Sequence, residues 1–524
     1  MINLRLIFFG LVVGFFFLFV SKYMAEKNLV ITNSKSESPS QVPIIEARNK
    51  KALPGAPVAF LVHGYQCNKS MMIQLAKFLA LNGVNTYAID LPGHGASKEP
   101  FSEKRIYEVA DEALLYLLKR DQLREDQVIL IGHSFGAAVV GRIGCADGRF
   151  AASIYLGPGH VKGTSEFFPK NLLILTGGND YEFVIDNAQK IISDATNFEV
   201  SSPEKKWGGS LNRESRLWHV IQGLGHVGLI YSPKAFGDVL NWIEFSTGFR
   251  TLKTRFPSSL ISAGAFAMVI GLVIIFATLI FSRPTRMDPE QGHRDVSLTK
   301  SFLILAYSLC GAIFLSFVLN CGNFSAKPLS YFTPLHFLRI QEGEIIASFL
   351  FTIGFLACLF DVVFCRGTHL PRIKDLVRGI PLSFSAIGVL YILSNFFITR
   401  EFFHLSLEWS TDRILALLIL GVSLFPFFTI CGRILDDFKN KIGTNLKGEV
   451  LAFFSGCLLY GILAASLNLV GYRLGRFGAA FFLLGVFTLC FGLLVKKFSA
   501  NTHAGALFST IFSAWIIAVS FIRY

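Results

Sequence analysis

The chain has 524 residues, of which 52% are hydrophobic and only 16% charged, with 53 phenylalanines. That balance excludes an ordinary soluble globule and points to long apolar segments. The formal charge of +13 is not a nucleic-acid signal, because much of it lies in loops between apolar runs and no base-reading motif is visible.

The first apolar run, residues 4–20, is short. Residues 1–24 are read as an N-terminal transmembrane anchor, since Tyr23-Met24-Ala25 places a bulky residue where signal cleavage prefers a small one. A cleaved signal sequence is the alternative, and either one exports the residues from 25 onward. Residues 25–56 are rich in Ser, Asn, Lys and Pro beyond Ile31 and are expected to be a tether. Their alternative is one or two edge strands.

Residues 57–247 have a different texture. Apolar runs near 58–63, 85–90, 128–132, 152–156, 171–176 and 217–221 read as strands. Helical patterns fall between them. In the segment 104–119, Ile106, Val109, Ala113, Leu114 and Leu117 recur at helical spacing, so one face packs inward. Alternation of this kind predicts an α/β domain with a mostly parallel sheet covered on both faces. Only a short Gly-Pro-Gly loop follows Ile154-Tyr155-Leu156, so the domain is expected to be compact and uncapped.

Three blocks carry the chemistry. Val58-Ala59-Phe60-Leu61-Val62 runs into His63-Gly64-Tyr65. Tyr87-Ala88-Ile89 leads into Asp90-Leu91-Pro92-Gly93-His94-Gly95-Ala96-Ser97. Val128-Ile129-Leu130-Ile131 ends in Gly132-His133-Ser134-Phe135-Gly136, ahead of a helical pattern. The last is a nucleophile elbow, in which a serine sits on a strained strand-to-helix turn and the flanking glycines relieve crowding. Together the blocks resemble the α/β-hydrolase family, in particular its monoglyceride-lipase and serine-aminopeptidase-like branch. The resemblance covers about residues 57–245. It implies an oxyanion hole from backbone amides after the His-Gly turn and after the nucleophile, which by position are those of Tyr65 and Phe135.

A serine hydroxyl needs a base and an orienting acid, and this fold supplies them in the order Ser, Asp, His. Asp180 ends the run Leu172–Gly177 in a turn and is the expected acid, with Asp186 as its nearest rival. His226 follows the last strand on a Gly-rich loop and is the expected base. Ser134, Asp180 and His226 thus form the candidate triad. His160, on the Gly-Pro-Gly loop, is a candidate at the substrate rim. His219 alternates within a strand and is read as packing or facing solvent. Asp90 and His94 are read as loop supports, and His63 as shaping the oxyanion turn. No His or Cys grouping has metal-ligand spacing, and no cofactor is expected. Of nine cysteines, Cys67 and Cys145 lie in the exported domain, where a disulfide between them is one alternative that sequence alone does not decide.

Residues 258–524 are expected to be an all-α membrane domain of eight spans, near 259–281, 302–320, 345–364, 380–398, 414–431, 450–470, 477–495 and 504–522. Each run approaches the roughly 20 residues a helix needs to cross a bilayer. Basic residues cluster in alternate loops: Arg283, Arg286, Arg294 and Lys300, then Arg366, Arg372, Lys374 and Arg378. Arg433, Lys439, Lys441 and Lys447 come next, and then Lys496 and Lys497. By the positive-inside rule these loops are cytoplasmic, with the hydrolase-like domain and carboxyl terminus outside. The plasma membrane, or a bacterial inner membrane, is the expected location. Few charges fall inside the spans: Asp361 lies near one end, and Asn395 and Asn468 are polar only. The domain is read as a lipid-embedded platform or, alternatively, as a groove feeding the hydrolase.

The expected function is cleavage of carboxylic esters, those of a membrane lipid first, through an acyl-enzyme. Acyl transfer by the same triad is the alternative, and a transport or scaffold protein with a hydrolase-like sensor domain is another. The expected partners are a lipid or other acyl ester and the bilayer, with no nucleic acid. Oligomeric state is not legible.

Overall fold

A computed structural model describes residues 20–254, apart from 21–22, 25, 52–53, 147 and 209–213. Beyond these it describes 298–318, 343–365, 373–393, 411–442, 454–463, 502–520 and a few positions between. The described residues below 255 and those from 298 onward belong to two separate compact units.

The first unit is built on an eight-stranded sheet in the order β1-β2-β4-β3-β5-β6-β7-β8. Its strands are β1 (Leu29–Lys35), β2 (Pro43–Asn49), β3 (Val58–Val62), β4 (Asn85–Ile89), β5 (Val128–His133), β6 (Ala152–Leu156), β7 (Leu172–Gly177) and β8 (Arg216–Ile221). From β4 across to β8 all neighbours are parallel. The central strands β3, β5, β6 and β7 are buried throughout, as expected of strands covered on both faces, which read as continuous apolar runs.

The helices divide between those faces. On one side, α2 (Glu103–Arg120), α3 (Phe135–Ala146) and α4 (Glu182–Ala195) pack into a core with Phe60, Leu130, Tyr155 and Ile174. On the other, α1 (Ile73–Leu81) and α5 (Pro233–Thr247) pack on Leu61, Ile131, Ile154 and Leu175. Successive strand residues point to opposite faces, so Phe60 and Leu61 serve different cores. In α2 the buried set is Ile106, Val109, Ala110, Ala113, Leu114 and Leu117. Ser102 caps that helix by accepting from Arg105 N, which satisfies one of the amides a helix start leaves unpaired.

The expected tether at 25–56 is corrected: it contains β1 and β2, which pair antiparallel with each other and extend the sheet beyond β4. A domain boundary at 57 would strip two strands. The polar composition reflects an edge that is wet on one side. Ile44, Ile45 and Ala47 are buried, while Glu46 and Arg48 join Arg120, Asp121 and Tyr87 in a network of ion pairs and hydrogen bonds.

In the second unit the described helices are α6 (Leu298–Val318), α7 (Gly343–Cys365), α8 (Ile373–Leu393), α9 (Thr411–Ile442) and α10 (Thr502–Ser520), along with the apolar helical stretch Phe454–Leu463. Within α7 and α9, Ile346–Cys365 and Arg413–Phe438 are long and apolar enough to cross a membrane. Five of the expected spans overlap α6 to α10. Those at 4–20 (but for residue 20) and 259–281, and much of 450–470 and 477–495, lie outside the described residues. Buried hydroxyls bond to helix carbonyls: Ser308 to Ile304 O, Thr352 to Ser348 O, and Ser383 across to Ala504 O at 2.8 Å. Asp361 is buried. Apolar side chains also face outward, including Ile373 at 80% and Val422 at 78% exposure.

Candidate active site

Three loops at the carboxyl ends of β5, β7 and β8 form the site, the edge at which parallel sheets place their ligands. The first is the elbow. Ser134 has φ of 53°, a left-handed conformation that costs a non-glycine residue about 1–3 kcal/mol and persists only where the surroundings enforce it. They do so here through backbone bonds. Ser134 N donates to Leu156 O at 2.9 Å, and Ala137 N and Gly159 N both donate to Ser134 O at 3.0 Å. The elbow glycines are required by contact. A Cβ on Gly132 would lie 2.3 Å from Gly136 O, and one on Gly136 would lie 2.3 Å from Val62 O.

Asp180 follows β7, its side chain fully buried. Its carboxylate accepts from Tyr181 N at 2.9 Å and Gly177 N at 3.4 Å. His226 opens the turn after β8, and that loop is tied to the Asp180 loop by Asn179 N donating to Leu224 O at 2.8 Å. The tie brings the two side chains together: His226 Nδ1 donates to Asp180 Oδ1 at 2.9 Å. A carboxylate only accepts, so Nδ1 carries the proton and Nε2 is the basic nitrogen. His226 is hydrogen-bonded to Asp180 and not to Ser134. Gly157, also left-handed with φ of 53°, lies against the pair. A Cβ there would be 2.9 Å from His226 Nδ1.

The turn after β3 borders the serine, since a Cβ on Gly64 would approach Ser134 Cβ to 3.1 Å. Tyr65 comes next, its ring edge-on to Phe135 and to Phe101 at centroid distances of 6.0 Å. Phe135 is the first residue of α3, where amides lack acceptors inside the helix. Beneath this turn lies a buried polar cluster. His63 Nδ1 donates to Gly64 O at 2.7 Å, while its Nε2 accepts from Leu91 N at 3.2 Å. Burial, opposed by Asp90, holds the His63 pKa below the usual value. Asp90 accepts from Lys69 Nζ at 2.8 Å, Lys69 N at 2.7 Å and Ala96 N at 2.9 Å. Burial alone would raise the Asp90 carboxyl, but Lys69 and His63 outweigh it and leave the pKa lowered. His94 Nδ1 donates to Pro92 O.

Other expected residues are dispersed. His160 is exposed on the loop directly after Gly159, whose amide binds Ser134 O. Asp186 is exposed on α4, and His219 pairs with Glu204 at 2.6 Å instead. Cys67 and Cys145 are both free. Among the described residues no group of three or more His, Cys, Asp or Glu is arranged to hold a metal ion. Sequence reasoning passed over three neighbours of the site. Tyr181, 5.4 Å from the His226 ring, comes directly after the acid; Gly157 comes directly after β6; and His133 sits inside the elbow motif itself.

The profile of the family described as "Alpha/beta hydrolase family" matches residues 59–252, and this part of the chain has the α/β-hydrolase fold. Among solved structures, a protein of Thermus thermophilus is similar at 18% identity and a TM-score of 0.32, over 42% of this chain and 100% of its own. A hormone-sensitive lipase from a metagenome library is similar at 16% identity and a TM-score of 0.32, over 44% of this chain and 98% of its own. An esterase from the bacterial hormone-sensitive lipase family is similar at 14% identity and a TM-score of 0.31, over 47% and 99% respectively.

Proposed function

We propose that the first unit is a serine esterase that cleaves carboxylic esters, chiefly of a membrane lipid, through an acyl-enzyme. The observation that carries this reading is the 2.9 Å bond from His226 Nδ1 to the buried Asp180 carboxylate, beside a serine held at positive φ on its elbow. In the first step Ser134 Oγ attacks the ester carbonyl carbon while His226 Nε2 takes its proton. The tetrahedral oxyanion is met by the amides of Tyr65 and Phe135. Collapse breaks the bond to the alcohol, which leaves with the proton from His226. Water then attacks the acyl-enzyme by the same route and frees the acid and Ser134. Asp180 fixes the imidazole's tautomer and stabilises its charged form.

An apolar substrate suits the surroundings. Tyr181 and Phe183 stack at 5.6 Å on the His226 side of the site, and both are exposed, as is Val227 next to the base. Among the described residues no helix lies between β6 and β7 to cap the mouth. His160 would then contact substrate at the rim. The second unit is proposed as a multi-pass membrane domain. Outward-facing apolar side chains on α7, α8 and α9 favour it, because a helix apolar on all sides needs an apolar solvent. The clustered basic loops favour an extracytoplasmic esterase.

The test is hydrolysis of a short p-nitrophenyl ester and of a vesicle phospholipid by the whole protein. Turnover of both, lost in Ser134→Ala, supports the reading; equal turnover by that variant sinks it. Product joined to an added alcohol instead of water would turn it toward acyl transfer.

A further inference from the structure

His133, the residue before the nucleophile, has no part in the esterase steps, yet it touches their base. Its side chain is buried at the end of β5, with 2% exposure. Nε2 lies 3.2 Å from the carbonyl oxygen of His226, and the two rings are tilted by 41° with centroids 4.8 Å apart. A carbonyl only accepts, so Nε2 must donate, which leaves Nδ1 without a proton in the neutral ring. That Nδ1 is buried and has no hydrogen-bond partner. It faces the turn after β3, only 3.0 Å from where a Cβ on Gly64 would stand. The ring is therefore wedged between the oxyanion turn and the loop that carries the base.

We propose that His133 is a positioning residue, whose Nε2–H holds the main chain of His226 while its ring keeps that imidazole turned toward Ser134. This rests on the serine-esterase reading. His226 lies just after Gly223 and Gly225 and opens a short 3-10 helix, His226–Ile230, and the bond to Asp180 fixes one ring atom only. A second anchor at the carbonyl, made from a strand in the middle of the sheet, removes the remaining freedom. The anchor matters because Ser134 and His226 must still close on one another, and a misplacement of about 1 Å costs about 10²-fold in rate. Burial first, and then the nearby His226 imidazole, push the His133 pKa down to about 3. Its ring thus stays neutral and puts no second charge beside the imidazolium formed in catalysis.

Two variants of the whole protein separate anchoring from packing. His133→Gln keeps an N–H donor on a flexible arm, and His133→Phe keeps the ring without the donor. Active sites are counted by titration with a fluorophosphonate, so that kcat refers to folded molecules. The expected result on a short soluble ester is a fall in kcat of about 10–100-fold for His133→Phe, with KM within about 2-fold, and substantial recovery in His133→Gln. Equal kcat in the two variants, or a Phe variant as fast as wild type, overturns the positioning role. Labelling of wild type at Ser134 tests the underlying reading separately: if wild type labels and the variants are alike, only the role of His133 fails.

Discussion

Gly157→Ala probes the geometry around the base more sharply than any change to the triad itself. The added methyl would stand 2.9 Å from His226 Nδ1, 3.1 Å from Cε1 and 3.3 Å from Asp180 Oδ2, where ordinary contact begins at 3.4 Å. The imidazole must retreat by about 0.5 Å, and the 2.9 Å bond to Asp180 lengthens or bends with it. By the sensitivity of about 10² per 1 Å of misplacement, a shift of about 0.5 Å should lower kcat about 10-fold. KM for a short ester should change little, because the three atoms nearest the methyl belong to His226 and Asp180 and none to the elbow. The left-handed backbone at Gly157 adds a separate stability cost of about 1–2 kcal/mol for any side chain. Gly248→Ala isolates that second effect, since Gly248 has φ of 71° and nothing within 4 Å of a Cβ. The assay is kcat and KM on a short ester with thermal inactivation in parallel. Both variants should lose stability, and only Gly157→Ala should lose turnover. Equal activity of the two would refute the close approach of Gly157 to the imidazole.

Asp180→Asn should lower kcat by about 10⁴ with the domain still folded, because an amide neither selects the Nδ1–H tautomer nor stabilises the imidazolium; the same loss from Asp186→Asn, with Asp180→Asn active, would reassign the acid. Stability should fall as pH drops below about 6.5, since the unfolded chain protonates His133 there whereas the folded one holds its pKa near 3. The cost is on the order of 1 kcal/mol per pH unit, and urea midpoints from pH 7 to pH 4 should fall less steeply for His133→Phe; parallel slopes would contradict it. A cysteine at exposed Ser202 should react with a membrane-impermeant maleimide in intact cells, and one at Gln291, outside the described residues, only after permeabilisation. The reverse pattern would invert the topology.

Much of the domain was legible because buried parallel strands are apolar on both faces. The runs at Val58, Val128, Ala152 and Leu172 could hardly be anything but central strands. The elbow was legible for a related reason: contact distances below 3 Å demand glycine at 132 and 136, and that demand is written in the motif. Strands β1 and β2 were legible only as the alternative to a tether, because their polar residues hide the strand pattern. In β2, which lies between β1 and β4, the apolar pattern is broken by Glu46 and Arg48, whose partners Arg120 and Asp121 lie more than 70 residues away. The anchoring bond from His133 was illegible too, since it joins a motif position read as variable to a backbone atom. Backbone partners leave no trace in sequence. In the second unit, α9 runs on to Ile442, past the apolar stretch ending near 431, because a helix continues through Asp436 and Lys439 once its hydrogen-bond ladder is established.

The central claim is that Ser134 is a nucleophile activated by His226 and Asp180. Its most direct test is to treat the whole protein with a fluorophosphonate and locate the adduct by peptide mass spectrometry. One phosphonyl group on Ser134 is predicted, formed far more slowly in Asp180→Asn and absent from Ser134→Ala. An unmodified Ser134 in folded protein, or an adduct on another residue that persists in Ser134→Ala, would contradict it.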